Sequence, residues 1–172
     1  MAVREIVLLG DPILRGKANA VEAFDEALRE LVRDMFHTMV FAEGAGLAAP
    51  QIGIPLRVLV ADTSRGEEGK GERHAVVNPM IVELGVEEER ESEGCLSVPG
   101  VSDIVSRPGR VVLEGFDPMG SPIRIEAEGL LSRVLQHEVD HLEGILFFDR
   151  ISPLKRRLLL SKYKKLLLEE SA

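Results

Sequence analysis

Along the first quarter of the chain, the apolar positions repeat with a helical period. From about Asp25 to Ala42, residues Leu28, Leu31, Val32, Met35, Phe36 and Met39 recur three and four apart with charged residues between them, which predicts an amphipathic helix with one face on a core. Ahead of it, Ile6-Val7-Leu8-Leu9 leads into Gly10-Asp11-Pro12. This is an extended segment entering a turn, because proline fixes φ and biases the residue before it away from helix. The middle of the chain changes character. Arg57 to Asp62, Ala75 to Val82, a segment near Gly85 to Glu91, Arg110 to Phe116 and Ile123 to Ala127 are short, rich in Val and Ile, and predict strands. Asp117-Pro118-Met119-Gly120 predicts a hairpin turn, and Thr63 to His74, with Gly66, Gly69 and Gly71 among charges, predicts an exposed, mobile connection. A second helix is predicted from about Leu130 to Glu143, stopping at Gly144, a residue suited to the left-handed cap. A third starts near Ser152-Pro153, where Ser can cap and Pro can take the first helical position, and runs over about 153–169.

The order helix, strands, helix, helix favours an α+β class over a parallel βαβ sheet. At 172 residues and 45% hydrophobic content, the chain can bury one sizeable core, so a single domain over 1–172 is expected, with no internal repeat or linker. A formal net charge of -8 argues against DNA or general nucleic-acid binding, which needs an excess of Lys and Arg to displace counterions from phosphates. No secretory segment or run of 18 apolar residues is visible, so the chain reads as a cytoplasmic protein with no membrane association. The single cysteine, Cys95, cannot form an intramolecular disulfide. It is a buried core thiol, a reactive thiol or a metal ligand, and its neighbours must decide.

The chemistry concentrates in His137-Glu138-Val139-Asp140-His141. This is an HExxH pattern inside a predicted helix. A spacing of four residues turns a helix by about 400°, so the two imidazoles share one face and can converge on one ion. Glu138, offset by about 100°, can reach a water on that ion without being a ligand. A hydrolytic site of this kind needs a third protein ligand and leaves one position open. Cys95, in Glu93-Gly94-Cys95-Leu96-Ser97 between strand-like segments, is the natural candidate over an inert core thiol. One thiolate and two neutral imidazoles leave a divalent ion with a net charge of about +1, enough to lower the pKa of a bound water. Gly44-Ala45-Gly46-Leu47-Ala48-Ala49-Pro50-Gln51 permits close approach of another backbone, and Gln51 offers an amide donor for a developing oxyanion; the same segment also reads as a helix cap followed by a tight turn.

Together GAGLAAPQ, EGCLS and HEVDH, in that order and with the LGDPILR opening, resemble the signature motifs of peptide deformylase along essentially the whole chain. The resemblance implies sheets, antiparallel or mixed, packed around a central helix that carries HExxH, and hydrolytic removal of the formyl group from N-terminal formyl-methionine of nascent polypeptides. By position it implies Cys95, His137 and His141 as metal ligands, Glu138 as general acid-base, and Gln51 with the backbone N–H of Leu96 as oxyanion donors. It also implies a peptide bound as an added strand along Ala45 and Gly46, with Glu93, Leu130 and Val134 around the methionine side chain. The ligand types suit Zn2+, Ni2+ or Co2+, and the resemblance favours Fe2+.

Three positions depart from some members. Glu91 and Arg133 stand where aliphatic residues line the pocket, and Ser102 stands where certain members have an arginine. Arg133, one turn before His137, is expected to pair with Glu91 at the rim or to face solvent. Lys155, Arg156, Arg157, Lys162, Lys164 and Lys165 crowd the last helix. They read either as a ribosome-docking face or as a solvated face over inward-packed Leu158, Leu159, Leu166 and Leu167. His37 and His74 read as surface or structural residues, and Asp140 as a support for a neighbouring histidine or a surface carboxylate. A general metallopeptidase would share HExxH without needing EGCLS. A catalytically silent, ribosome-bound metal protein would not need both Glu138 and Gln51.

Overall fold

The structure, a computed structural model, describes residues 2–64 and 72–171. The glycine-rich part of the connection expected between Thr63 and His74, residues 65–71, lies outside the described residues. Helix α1 spans Glu26–Phe41, and its first turn is capped by Asp25, whose side chain accepts from the Leu28 N–H at 3.0 Å. Seven strands follow: β1 Gly46–Ala48, β2 Val58–Asp62, β3 Arg73–Leu84, β4 Glu88–Cys95, β5 Val98–Pro108, β6 Arg110–Phe116 and β7 Pro122–Glu128. Helices α2, Gly129–Leu142, and α3, Pro153–Glu170, complete the fold. Its class is α+β.

All pairings between these strands are antiparallel. Five of them form one sheet in the order β1-β2-β3-β6-β7, and β4 and β5 form a separate ribbon. Strand β2 is buried throughout, because alternate residues of a strand face opposite sides and both sides are covered. Val58 and Val60 pack under α1 with Leu28, Leu31, Met35 and Met39. Leu59 and Ala61 pack under α2 with Leu131, Val134, Leu135 and Val139. The sheet is thus sandwiched where it matters for the site. Strand β1 is its edge, leaving one side of a short extended segment free for another backbone.

The ribbon is the element that the apolar pattern did not foresee at full length. Strand β5 contains Pro99, Gly100, Ser102, Asp103 and Pro108, a composition that reads as loop. It is extended because one of its sides is buried: Val98, Val101 and Val105 pack against Leu146, Phe147, Phe148, Leu159 and Tyr163. The ribbon therefore lies across the polar face of α2, which is why every residue from Leu131 to Leu142 is buried, the charged ones included.

Helix α3 starts as the sequence implies, with the Ser152 side chain accepting from the Lys155 N–H at 3.2 Å. Its inward face differs from the expectation. Leu159 and Tyr163 are buried and Leu160 and Leu166 half-buried, whereas Leu158 is 60% and Leu167 41% exposed. The helix meets the body mainly through one stripe against β5 and the turn after α2, and residues about 100° away from that stripe are left outside.

Candidate metal centre and cleft

Helix α2 carries His137 and His141 one turn apart, and their Nε2 atoms lie 3.2 Å from each other. Cys95, the last residue of β4, brings its Sγ to 3.3 Å from His141 Nε2. The three donor atoms all lie within 4.8 Å of one another. Three lone-pair-bearing atoms facing inward at this spacing suit a cation between them, and one thiolate with two imidazoles is a donor set for a divalent transition metal. Beside them, Oε1 of Glu138 is buried and has no hydrogen-bond partner among the described residues. A buried carboxylate oxygen left this way is costly unless a water or substrate completes it.

The sequence placed Glu93 beside a substrate side chain; in the structure it is buried and ties the centre together. Its Oε1 lies 2.9 Å from His137 Nδ1 and accepts from Arg107 Nη2 at 3.0 Å, while Oε2 accepts from Arg107 Nε and Arg133 Nη1 at 2.5 Å each. With Nδ1 of His137 committed to Glu93, Nε2 is the nitrogen left for an ion. Burial pushes the Glu93 carboxyl up, and the bonds from His137 and Arg107 more than reverse it, holding it at about 2. Burial dominates at Glu138 and raises its carboxyl to about 7. Burial also opposes protonation of both imidazoles. At His137 it is outweighed by Glu138, Cys95 and Glu93, which raise the pKa; at His141 burial prevails, helped by His137 and Arg107, and the pKa falls.

Gln51 sits in a single 3-10 turn, Ala49–Ile52, and is buried. Its orientation is fixed from both ends: Oε1 accepts from the Ala48 N–H at 2.9 Å, so the amide nitrogen points at Ser97 Oγ, 3.2 Å away, and Cys95 Sγ, 3.5 Å away. Gly46 faces Glu138 so closely that a Cβ there would stand 2.6 Å from Glu138 Oε2 and 2.7 Å from Val134 Cγ1. These groups line one cleft of about 580 Å3 together with Gly44 and Ala45 and with Gly94, Leu96 and Val98 to Ser102. Leu130, Arg133, Val134, His137 and Glu138 form its floor.

The polypeptide deformylase family model matches residues 3–157. The chain belongs to the polypeptide deformylase family. Among curated peptide deformylases, that of Brucella suis biovar 1 is 46% identical over 166 residues, covering 96% of this chain and 94% of the relative. Among solved structures, a peptide deformylase from Legionella pneumophila superposes with a TM-score of 0.90 at 46% identity, covering 99% of this chain and 98% of that one. One from Ehrlichia chaffeensis gives 0.92 at 38% identity, covering 99% and 100%. Another Ehrlichia chaffeensis structure, in complex with actinonin, gives 0.89 at 41%, covering 96% and 98%.

Within this deformylase fold, Gln51, Ala45, Gly46, Glu93, Cys95, Leu96, Leu130, Val134, His137 and Glu138 all line the cleft, and His141 is buried next to Cys95 and His137. Leu96 follows Cys95 at the ribbon turn, Leu130 is at the rim with 55% exposure, and Ser102 is on the outer wall. Two expectations need correction. Arg133 neither meets Glu91 nor faces solvent: Glu91 is exposed, while Arg133 is buried against Glu93 and the ribbon backbone. Asp140 supports no histidine directly; it accepts from Arg107 Nη1 at 2.9 Å and from Arg150 Nη2 at 2.6 Å. Arg107, Ser97 and Arg150 were missed altogether, since an isolated arginine gives no sequence sign that a carboxylate two elements away is buried with it. His37 and His74 stand apart from the cleft, and His74 Nε2 is 2.7 Å from Glu72.

Proposed function

We propose that the chain, acting as one catalytic domain over 1–172, removes the formyl group from N-terminal formyl-methionine of nascent polypeptides, using one divalent ion held by Cys95, His137 and His141. The observation that carries the reading is the convergence of those three donors beside the unpartnered Glu138 oxygen. A divalent ion in this donor set supplies Lewis acidity, bringing the pKa of a water toward neutrality and polarising a carbonyl. Fe2+ is the ion the family resemblance favours, and Zn2+, Ni2+ and Co2+ fit the same donors.

The residues divide the remaining work. Glu138, poised by burial near neutral pH, takes the proton of the attacking water and delivers it to the leaving amine as the C–N bond breaks, so that formate and a free amino terminus result. Gln51 Nε2, locked by Ala48 and Ser97, and the Leu96 N–H donate to the oxygen that becomes negative in the transition state. The substrate backbone adds as a strand along Ala45 and Gly46 at the β1 edge. Its methionine side chain lies toward Leu130, Val134 and the stem of the Glu93 side chain. Gly46 packs so closely on Glu138 and Val134 that a Cβ there would clash, and steric exclusion at this Gly44 to Gly46 wall is the proposed basis for rejecting acetyl groups.

The exposed Lys155, Arg156, Arg157, Lys162, Lys164 and Lys165 on α3 form a basic surface on an otherwise acidic chain, which supports ribosome docking by that helix. The catalytic reading is tested by product release from formyl-Met-Ala-Ser, acetyl-Met-Ala-Ser and unblocked Met-Ala-Ser. Formate from the first alone is expected; cleavage of the unblocked peptide would instead indicate a general metallopeptidase.

A further inference from the structure

Arg133 is a buried cation in the floor of a cleft whose other floor residues include Leu130 and Val134, and its guanidinium has three partners on two other elements. Nη1 donates to Glu93 Oε2 at 2.5 Å and to the Val105 carbonyl at 2.9 Å, and Nη2 donates to the Glu89 carbonyl at 2.7 Å. Glu89 and Glu93 belong to β4 and Val105 to β5. One side chain of α2 therefore grips both strands of the ribbon.

The ribbon needs such a grip. Among the described residues it shares no ladder with the five-stranded sheet, and a two-stranded unit is marginal unless packed against something else. Its apolar side is held by α3 and the turn after α2, through Val98, Val101 and Val105. On the side toward α2 lies the cleft itself, and the buried apolar cluster of α2 and that of the ribbon are separate. Other ties exist there: Arg107 of the ribbon reaches Asp140, Gln136 Nε2 donates to the Pro108 carbonyl at 2.8 Å, and His137 Nδ1 lies 2.9 Å from Glu93, but each of these engages one ribbon strand, whereas Arg133 engages both. Arg133 acts a turn before His137, next to the part of the cleft that receives a side chain.

We infer that Arg133 is a positioning residue for substrate selectivity: it clamps the β4–β5 ribbon to α2 and so sets the width of the slot that accepts the first side chain of the substrate. The inference rests on the deformylase reading for the identity of that substrate, and its geometry can be tested apart from turnover. Arg133→Met would keep the apolar stem and remove all three bonds. Arg133→Lys would keep stem and charge but lacks the planar fork that reaches several partners at once.

The test compares wild type with Arg133→Met and Arg133→Lys, each loaded with zinc, in two measurements. Hydrogen exchange in Arg133→Met should accelerate at least tenfold across Glu88–Cys95 and Val98–Pro108 and stay unchanged in α1. The kcat/KM ratio of formyl-Met-Ala-Ser to formyl-Phe-Ala-Ser should fall at least tenfold, mainly through KM, with Arg133→Lys intermediate; Arg133→Lys carries both measurements if Arg133→Met does not fold. Wild-type exchange in the ribbon, or wild-type discrimination between the two side chains, would overturn the clamp. If wild type releases no formate the deformylase reading fails, while the exchange comparison still decides whether Arg133 holds the ribbon.

Discussion

Nδ1 of His137 lies 2.9 Å from Oε1 of Glu93, and that carboxylate in turn accepts from Arg107 and Arg133. The contact fixes which imidazole nitrogen is free for an ion, and it makes Glu93 part of the metal centre's support as well as of the cleft wall. Glu93→Gln should therefore weaken metal binding by roughly ten- to a hundredfold, read by competition with a chromophoric chelator. It should also lower thermal stability, because buried Arg133 loses its carboxylate partner and buried Arg107 keeps only Asp140. Unchanged metal affinity would remove Glu93 from the centre.

Gly46 and Glu138 are in closer apposition than any side chain at 46 would allow. In Gly46→Ala the new methyl must displace the Glu138 carboxylate, Val134 or strand β1. A fall in kcat of at least tenfold is expected, with bound metal still near one per chain by atomic absorption. Normal kcat would show that the position of Glu138 tolerates this shift.

Asp34 anchors the amino-terminal segment by accepting from the Ala2 N–H at 2.8 Å and from Arg4 Nε at 2.9 Å. The Ala2 bond and Arg4 hold its carboxyl below the ordinary aspartate value, against the effect of burial. A group depressed in the folded state stabilises fully above its unfolded pKa and loses that contribution as the pH falls through the folded one. Asp34→Asn should cost roughly 1–2 kcal/mol at neutral pH, or roughly 2–8 °C in Tm, and the gap between variant and wild type should narrow below about pH 4. A gap that is constant from pH 7 to pH 3 would rule out the carboxylate as its source.

The packing of α3 changes how docking should be tested. Removing the helix would expose Leu146, Phe147 and Phe148 along with the apolar side of the ribbon, so a deletion would confound docking with misfolding. Replacing Lys155, Arg156, Arg157, Lys162, Lys164 and Lys165 by Gln leaves Leu159 and Tyr163 in place. Co-sedimentation with ribosomes should then be lost at low salt, while formate release from a free tripeptide stays within about twofold. Undiminished co-sedimentation would rule those charges out of ribosome docking.

Much of this was legible in the sequence because it depends on local periodicity. The spacing of Leu28 to Met39 gave α1, and His137 and His141 four apart gave two donors on one face. Gly144 marked the end of α2: at φ +76°, with the Arg15 carbonyl 2.6 Å from where a Cβ would stand, only glycine fits. What stayed hidden depends on burial from a distance. Strand β5 looks like loop until Phe147, Leu159 and Tyr163 cover it, and Arg107, Arg133 and Asp140 look like surface charges until the ribbon folds over α2. A charge pattern along the chain carries no record of a partner that arrives through tertiary structure.

The central claim is that Glu138 performs the proton transfers at an ion held by Cys95, His137 and His141. Single-turnover formate release from formyl-Met-Ala-Ser by metal-replete wild type and Glu138→Ala, with metal content measured on the same samples, tests it directly. The expected result is a loss of at least a hundredfold in rate with one ion still bound per chain. A variant that keeps the wild-type rate, or a metal-replete wild type that releases no formate, would contradict it.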